Sequence, residues 1–170
     1  PKDVKSWTPG PKSDLIDALK ETGMELIGED LGDIPPAVDK WMNNIKVPGY
    51  KVFLFGWGNY ESEKYRFTEE YPTASLACTS THDSESYWEF LEALSDPQVY
   101  ELGAYLGIQE GEEFTIDDLR KRSIKKLIDS PSRYVMFPLQ DVLGKGIRIN
   151  TPGSVSEDNW SKVISVGDQE

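Results

Sequence analysis

Apolar and polar positions alternate along this chain in short blocks whose period keeps changing. Leu15, Ile16 and Leu19 fall on one face of a helix predicted over Ser13 to Thr22, with Ser13 as cap and Gly23 as its end. Met24 to Gly28 then reads as a short apolar strand. It runs into an acidic turn, Glu29, Asp30, Leu31, Gly32 and Asp33, after which Pro35 and Pro36 suit the first turn of a helix through Trp41 and Met42. The order is strand, acidic loop, helix.

The pattern recurs. Tyr50 to Trp57 is almost continuously apolar, as a strand buried on both faces of a parallel sheet would be. Gly58 to Tyr71 has no clear period and reads as a long loop. A third strand, Ser75 to Thr79, ends in Ser80, Thr81, His82 and Asp83. Helices follow over Ser84 to Leu94, Asp96 to Leu106 and Ile116 to Ile128. Thr115 and Asp118 form an acidic capping box for the last of these. That helix is amphipathic, with Ile116, Leu119, Ile124, Leu127 and Ile128 inward and Arg120, Lys121, Arg122, Lys125 and Lys126 outward. Its basic run is read as a solvated face. Tyr134 to Leu139 is a fourth apolar strand, and the tail from Gly144 is mostly loop.

Four strand-then-helix units imply an α/β fold with parallel strands. A whole (β/α)8 barrel takes roughly 250 residues, so four units in 170 residues fit half of one.

Composition narrows the function. Hydrophobic residues at 38% and charged residues at 28% suit a soluble globular domain, and no apolar stretch nears the roughly 20 residues of a membrane span. The net charge of -12 repels phosphate backbones and anionic headgroups, which argues against nucleic acid and membrane as partners. One His and one Cys cannot assemble the usual nitrogen and sulfur metal ligands, so no metal is expected. Gly56 and Gly58 lack the rest of a phosphate-binding fingerprint. Cys78, the single cysteine, lies in a small apolar run and reads as a buried, inert thiol. With no signal or transit pattern at the N-terminus, the cytoplasm is the default location. The start at Pro1 suggests a piece excised from a longer chain, which would allow a plastid if that chain carried a transit peptide.

Catalytic groups of such barrels sit at the C-terminal ends of strands. Glu29–Asp30 ends the first strand and His82–Asp83 the third. Carboxylates brought to one rim from different strands suit glycosyl transfer, in which one acid protonates the leaving oxygen and an anion stabilises positive charge at the anomeric carbon. Phe55, Trp57, Tyr60, Tyr65, Tyr87 and Trp88 are candidates to offer flat faces to sugar rings. A second reading of the same residues stays open: acids after a strand also cap helices, aromatics also fill cores, and a lone histidine is also a structural residue.

At these residues the sequence resembles the amylomaltase (disproportionating enzyme) family of 4-alpha-glucanotransferases. Ile27-Gly28-Glu29-Asp30-Leu31-Gly32, then Pro35 and Val47-Pro48-Gly49-Tyr50-Lys51-Val52, resemble the segment around that family's acid/base glutamate. Thr79-Ser80-Thr81-His82-Asp83 resembles its segment with the transition-state-stabilising aspartate. Pro138 to Gly144, Asn150-Thr151-Pro152-Gly153 and Asn159-Trp160 resemble its C-terminal signature, so the motifs run in family order from about Leu15 to Trp160.

The resemblance implies that residues 1–170 are the C-terminal half of a (β/α)8 catalytic domain, with Glu29 as general acid/base and Asp83 as stabilising carboxylate. It further implies substrate contacts from His82, Trp57, Asn150 and Pro152. The implied reaction moves alpha-1,4-glucan segments between maltooligosaccharides with retention, through a covalent glycosyl-enzyme and without a cofactor. The implied partners are a maltooligosaccharide or alpha-glucan and the N-terminal half of the same barrel.

Three positions depart from the family pattern. No Arg-x-Asp, the family's nucleophile motif, occurs here; Gly58 stands where an acid is common; and Ser84–Glu85 replaces Asn-Asp after Asp83. Two alternatives therefore remain beside the transferase: a non-catalytic alpha-glucan-binding module, and a piece of a related alpha-glucan hydrolase.

Overall fold

Three parallel strands form one sheet in a computed structural model that describes residues 13–32 and 34–165. In chain order the elements are α1 (Ser13–Glu21), α2 (Pro36–Ile45), β1 (Gly49–Val52), α3 (Glu63–Arg66), β2 (Ser75–Cys78), α4 (Tyr87–Glu92), α5 (Asp96–Tyr105), α6 (Ile116–Ile128), β3 (Tyr134–Val135) and α7 (Leu139–Val142). The strand order is β1-β2-β3, with Tyr50 opposite Leu76 and Leu76 opposite Tyr134. Each crossover steps to the next position without reversing. A barrel wall is built that way, whereas a doubly wound sheet reverses at a switch point.

Local signals set several elements. At α6, Thr115 Oγ1 accepts from the Asp118 amide at 3.1 Å while Asp118 Oδ2 accepts from the Thr115 amide at 2.8 Å, so the expected capping box and helix bounds are both present. Ser86 and Glu89 form a second box. It starts α4 at Tyr87, three positions after the expected start at Ser84. Pro36 opens α2 as expected.

Both long apolar runs are shorter as strands than the sequence suggests. Tyr50 to Trp57 pairs only through Val52, and Phe53–Gly56 coils into a 3-10 turn. The reason is packing: Gly56 lies against the α3 backbone, where a Cβ would come 2.5 Å from the Arg66 Cα. Val52, Phe53 and Leu54 are fully buried either way, and apolar continuity reports burial rather than conformation. Tyr134 to Leu139 pairs over two residues and then turns at Pro138, which has no N–H for a ladder and sits at the N-cap of α7. Met24 to Gly28 forms no ladder among the described residues; Gly28 donates one bond to the Pro48 carbonyl. Asp33 of the acidic turn lies outside the described residues. The loop from Gly58 to Tyr71 contains α3 and a 3-10 turn at Thr68–Glu70.

The core gathers Phe53, Tyr87, Leu91, Leu102, Leu119 and Leu127 between the sheet and helices α4 to α6. Two expectations for α6 are corrected. Arg120 is buried, because it turns inward to bond the Asp141 and Val142 carbonyls, and Ile128 is 59% exposed beside the buried Leu127.

Candidate active site

Alternation along β2 puts Leu76, Cys78 and then Ser80 on one face, and the register adds Tyr50 to it. These residues, with Thr81, His82, Phe137, Gln140 and Ile149, line an open cavity of about 320 Å3 at the strand ends. The loop after β2 carries His82 and Asp83 to its rim.

Asp83 is half exposed and held from the tail. Its carboxylate accepts from the Asn150 side-chain amide at 2.7 Å, and its carbonyl accepts from the Arg148 guanidinium at 2.9 Å. His82 Nε2 lies 3.4 Å from the same Asp83 oxygen. The imidazole also packs on Trp160, with ring centroids 5.2 Å apart.

Glu29 follows the unpaired segment Met24–Gly28 and is exposed. Its neighbour Asp30 is buried and accepts from the Tyr50 amide at 2.6 Å and from Lys64 at 3.3 Å, which fastens the acidic segment to the start of β1. Gly49 is needed there, since a Cβ would stand 2.5 Å from Asp30 Oδ2. Burial first, then the electrostatic influence of Cys78 and of Glu29, pushes the Tyr50 phenol above its ordinary value. Tyr50 borders the cavity that His82 also borders.

The expected residues thus divide. His82, Asp83 and Asn150 come together, whereas Glu29 is exposed beside Asp30 at the start of β1 and makes no hydrogen bond to any of them among the described residues. Pro152 is exposed in the turn beyond Asn150, and no hydrogen bond or ring contact ties it to the others. Trp57 is a correction: it is 2% exposed, flanked by Tyr105 and by the Arg66 guanidinium, each 4.9 Å from its ring, and offers no face to a sugar. Tyr65 and Tyr87 are core as well, which leaves Tyr60 as the exposed ring of that set.

The departures have local causes. Gly58 has φ 62°, and a Cβ would meet Leu94 at 2.8 Å, so a side chain is disfavoured twice. Ser84 Oγ accepts from the Thr81 amide at 3.0 Å, closing the turn that carries His82 and Asp83. Glu85 accepts from the Tyr60 hydroxyl at 3.0 Å.

Sequence reasoning gave three residues no role in the site. Trp160 adopts φ 61°, rare for a bulky side chain, held by its amide bond to the Ile149 carbonyl. Arg148 braces the Asp83 backbone. Asp141 is fully buried, and a lone acid between apolar residues in Phe137 to Leu143 was the available signal. Among the described residues no group of three or more His, Cys, Asp or Glu is placed to hold a metal ion.

A histidine, a carboxylate and an amide meet beside an open cavity at the end of β2 in a parallel α/β fold. The sequence profile of the 4-alpha-glucanotransferase family matches residues 2–166, and the chain belongs to that family. It is 29% identical over 159 residues to the chloroplastic/amyloplastic 4-alpha-glucanotransferase of Solanum tuberosum, covering 91% of this chain and 26% of that protein. It is 27% identical over 161 residues to the 4-alpha-glucanotransferase of Synechocystis, covering 91% and 30%. The fold superposes on the amylomaltase from Streptococcus agalactiae in complex with acarbose with a TM-score of 0.74 at 25% identity, over 91% of this chain and 31% of that one. The chain thus spans about a third or less of the length of these relatives.

Proposed function

We propose that this chain is the C-terminal half of a (β/α)8 barrel and supplies two of the three catalytic carboxylates of a 4-alpha-glucanotransferase. Glu29 protonates the leaving glycosidic oxygen and later takes a proton from the acceptor hydroxyl. Asp83 stabilises positive charge at the anomeric carbon, and His82 and Asn150 address sugar hydroxyls. The nucleophile comes from the preceding part of the barrel. The substrate is an alpha-1,4-glucan or maltooligosaccharide, in keeping with the acarbose in the amylomaltase neighbour.

The observation that carries this reading is Asp83 fixed at the rim by Asn150 beside His82. The test joins this chain to the preceding barrel segment and assays disproportionation of maltotriose. Glu29→Gln and Asp83→Asn should each lower kcat by about 100-fold or more with melting unchanged, because shape is kept and only a proton or a charge is lost. A donor whose leaving group needs no proton should rescue the first step in Glu29→Gln more than in Asp83→Asn. Near-normal rates in either folded variant would remove that residue from the site. The 170-residue chain alone should not disproportionate maltotriose.

A further inference from the structure

The loop that presents His82 and Asp83 leaves the sheet at Thr79–Ser80 and re-enters helix at Tyr87. Six residues, 81–86, lie between these points. Such a loop, with His82 and Asp83 exposed at its tip, is normally the most mobile part of a rim. Here both of its ends are tied to one atom group. Asp141 Oδ2 accepts from the Thr79 and Ser80 hydroxyls at 2.5 Å each, and Oδ1 accepts from the Tyr87 amide at 2.8 Å.

Asp141 is 0% exposed, so its charge is sustained only by these donors and by Arg120. Both oxygens act as acceptors in all three bonds, which is the pattern of an ionised carboxylate. Arg120 in turn donates to the Asp141 carbonyl at 3.2 Å and to the Val142 carbonyl at 2.5 Å, anchoring α7 to α6. Bonds to a charged acceptor are about twice as strong as neutral ones, so the carboxylate is a stiff fixed point rather than a loose one.

We propose that Asp141, which touches no substrate, is the positioning residue of the active-site rim: one buried carboxylate clamps the loop carrying His82 and Asp83 at its first and last residues. This rests on the reading of Asp83 as the stabilising carboxylate. The physical demand is clear, since a charge acts on an anomeric centre only if it is held in place, and a misplacement of about 1 Å can cost about 100-fold in rate. Asn150 and Arg148 hold Asp83 from the solvent side, and Asp141 sets the loop from beneath.

The chain contains a single histidine, so its ring-proton resonance reports on this loop without ambiguity. The Trp160 indole 5.2 Å away displaces that resonance by its ring current, and Trp160→Ala gives the size of the displacement. In the 170-residue chain, Asp141→Asn should abolish most of it while amide-exchange protection in α6 is retained. If Asp141→Asn does not fold, the double variant Thr79→Val with Ser80→Ala frees the first end alone and should show the same loss. An unmoved resonance in a folded variant overturns the proposal.

In the chain joined to the preceding barrel segment, the folded variant should lower kcat for maltotriose about 100-fold with KM changed by less than about threefold. A fall in KM-dependent binding alone, or full activity, overturns the proposal too. An inactive wild type would instead defeat the transferase reading, while the resonance still decides whether Asp141 sets the loop.

Discussion

Asn150 donates a 2.7 Å hydrogen bond to the Asp83 carboxylate from 67 positions further along the chain. The tail thereby becomes part of the rim. Its shape depends on further short-range bonds: the Thr151 amide donates to the Asn159 side chain at 3.1 Å, and the Arg148 side chain donates to the Asn150 carbonyl at 2.9 Å.

Replacing Asn150 with Ala should therefore act on catalysis rather than on folding. A hydrogen bond to a charged acceptor is worth roughly 1.5–3 kcal/mol, and solvent at this half-exposed carboxylate reduces that to the lower end. We expect kcat for maltotriose to fall about tenfold in the chain joined to its preceding barrel segment, with the thermal midpoint moved by less than about 2 °C. A large drop in melting with unchanged kcat would reassign Asn150 to a structural role.

Cys78 should be inert. It is 3% exposed, and burial, with a smaller push from Asp141, raises its thiol to about 12. The thiolate is the reactive form. At pH 8 a disulfide reagent should label the native chain at least about 100-fold more slowly than the chain in denaturant, where the thiol returns to its ordinary value. Equal rates would show that the cavity wall opens.

The pH dependence of stability should carry the mark of Asp141. Burial, the largest influence, raises its carboxyl above the ordinary value despite bonds from Ser80, Thr79 and Tyr87 and the Arg120 charge. A group raised in the folded state contributes stability that is fully present below its unfolded value and lost as pH rises through its folded value. Relative to Asp141→Asn, the wild type should thus gain stability as pH is lowered from neutrality towards the ordinary carboxyl range. The lowered carboxyls of Glu69 and Asp117 act in the opposite direction, and they cancel in the difference between the two proteins. Urea midpoints of both across pH 3 to 7, a range that spans the carboxyl values, would check this, and a flat difference would refute it.

The isolated chain should be sticky. Among the described residues β1 and β3 are both sheet edges, and Met24, Met136 and Leu139 are each about half exposed or more. Each such half-exposed side chain forgoes roughly half of the 1.5–3 kcal/mol of full burial, about 1 kcal/mol. Alone, the chain should self-associate or bind a hydrophobic dye, and adding the preceding barrel segment in trans should suppress both and raise the melting midpoint. A dye-silent monomer with a sharp melt would mean that these strands close a domain of their own.

The sequence by itself determined what is decided within a few residues. The Thr115–Asp118 box, the proline start of α2, the whole of α6 and the parallel α/β order rest on contacts three or four positions apart or on periodicity, and such signals survive without a tertiary frame. It also placed His82 and Asp83 at a strand end, since the strand and its polar terminus are adjacent in sequence. Where β1 stops, that Trp57 faces inward, that Arg120 is buried, and that Asp141 joins Thr79 to Tyr87 were decided only by packing. Each depends on which distant segment occupies the neighbouring space: α3 against Gly56, Arg66 and Tyr105 around Trp57, the α7 carbonyls beside Arg120. A single string of residues specifies those encounters only through the sum of many weak contacts, and no local period records them.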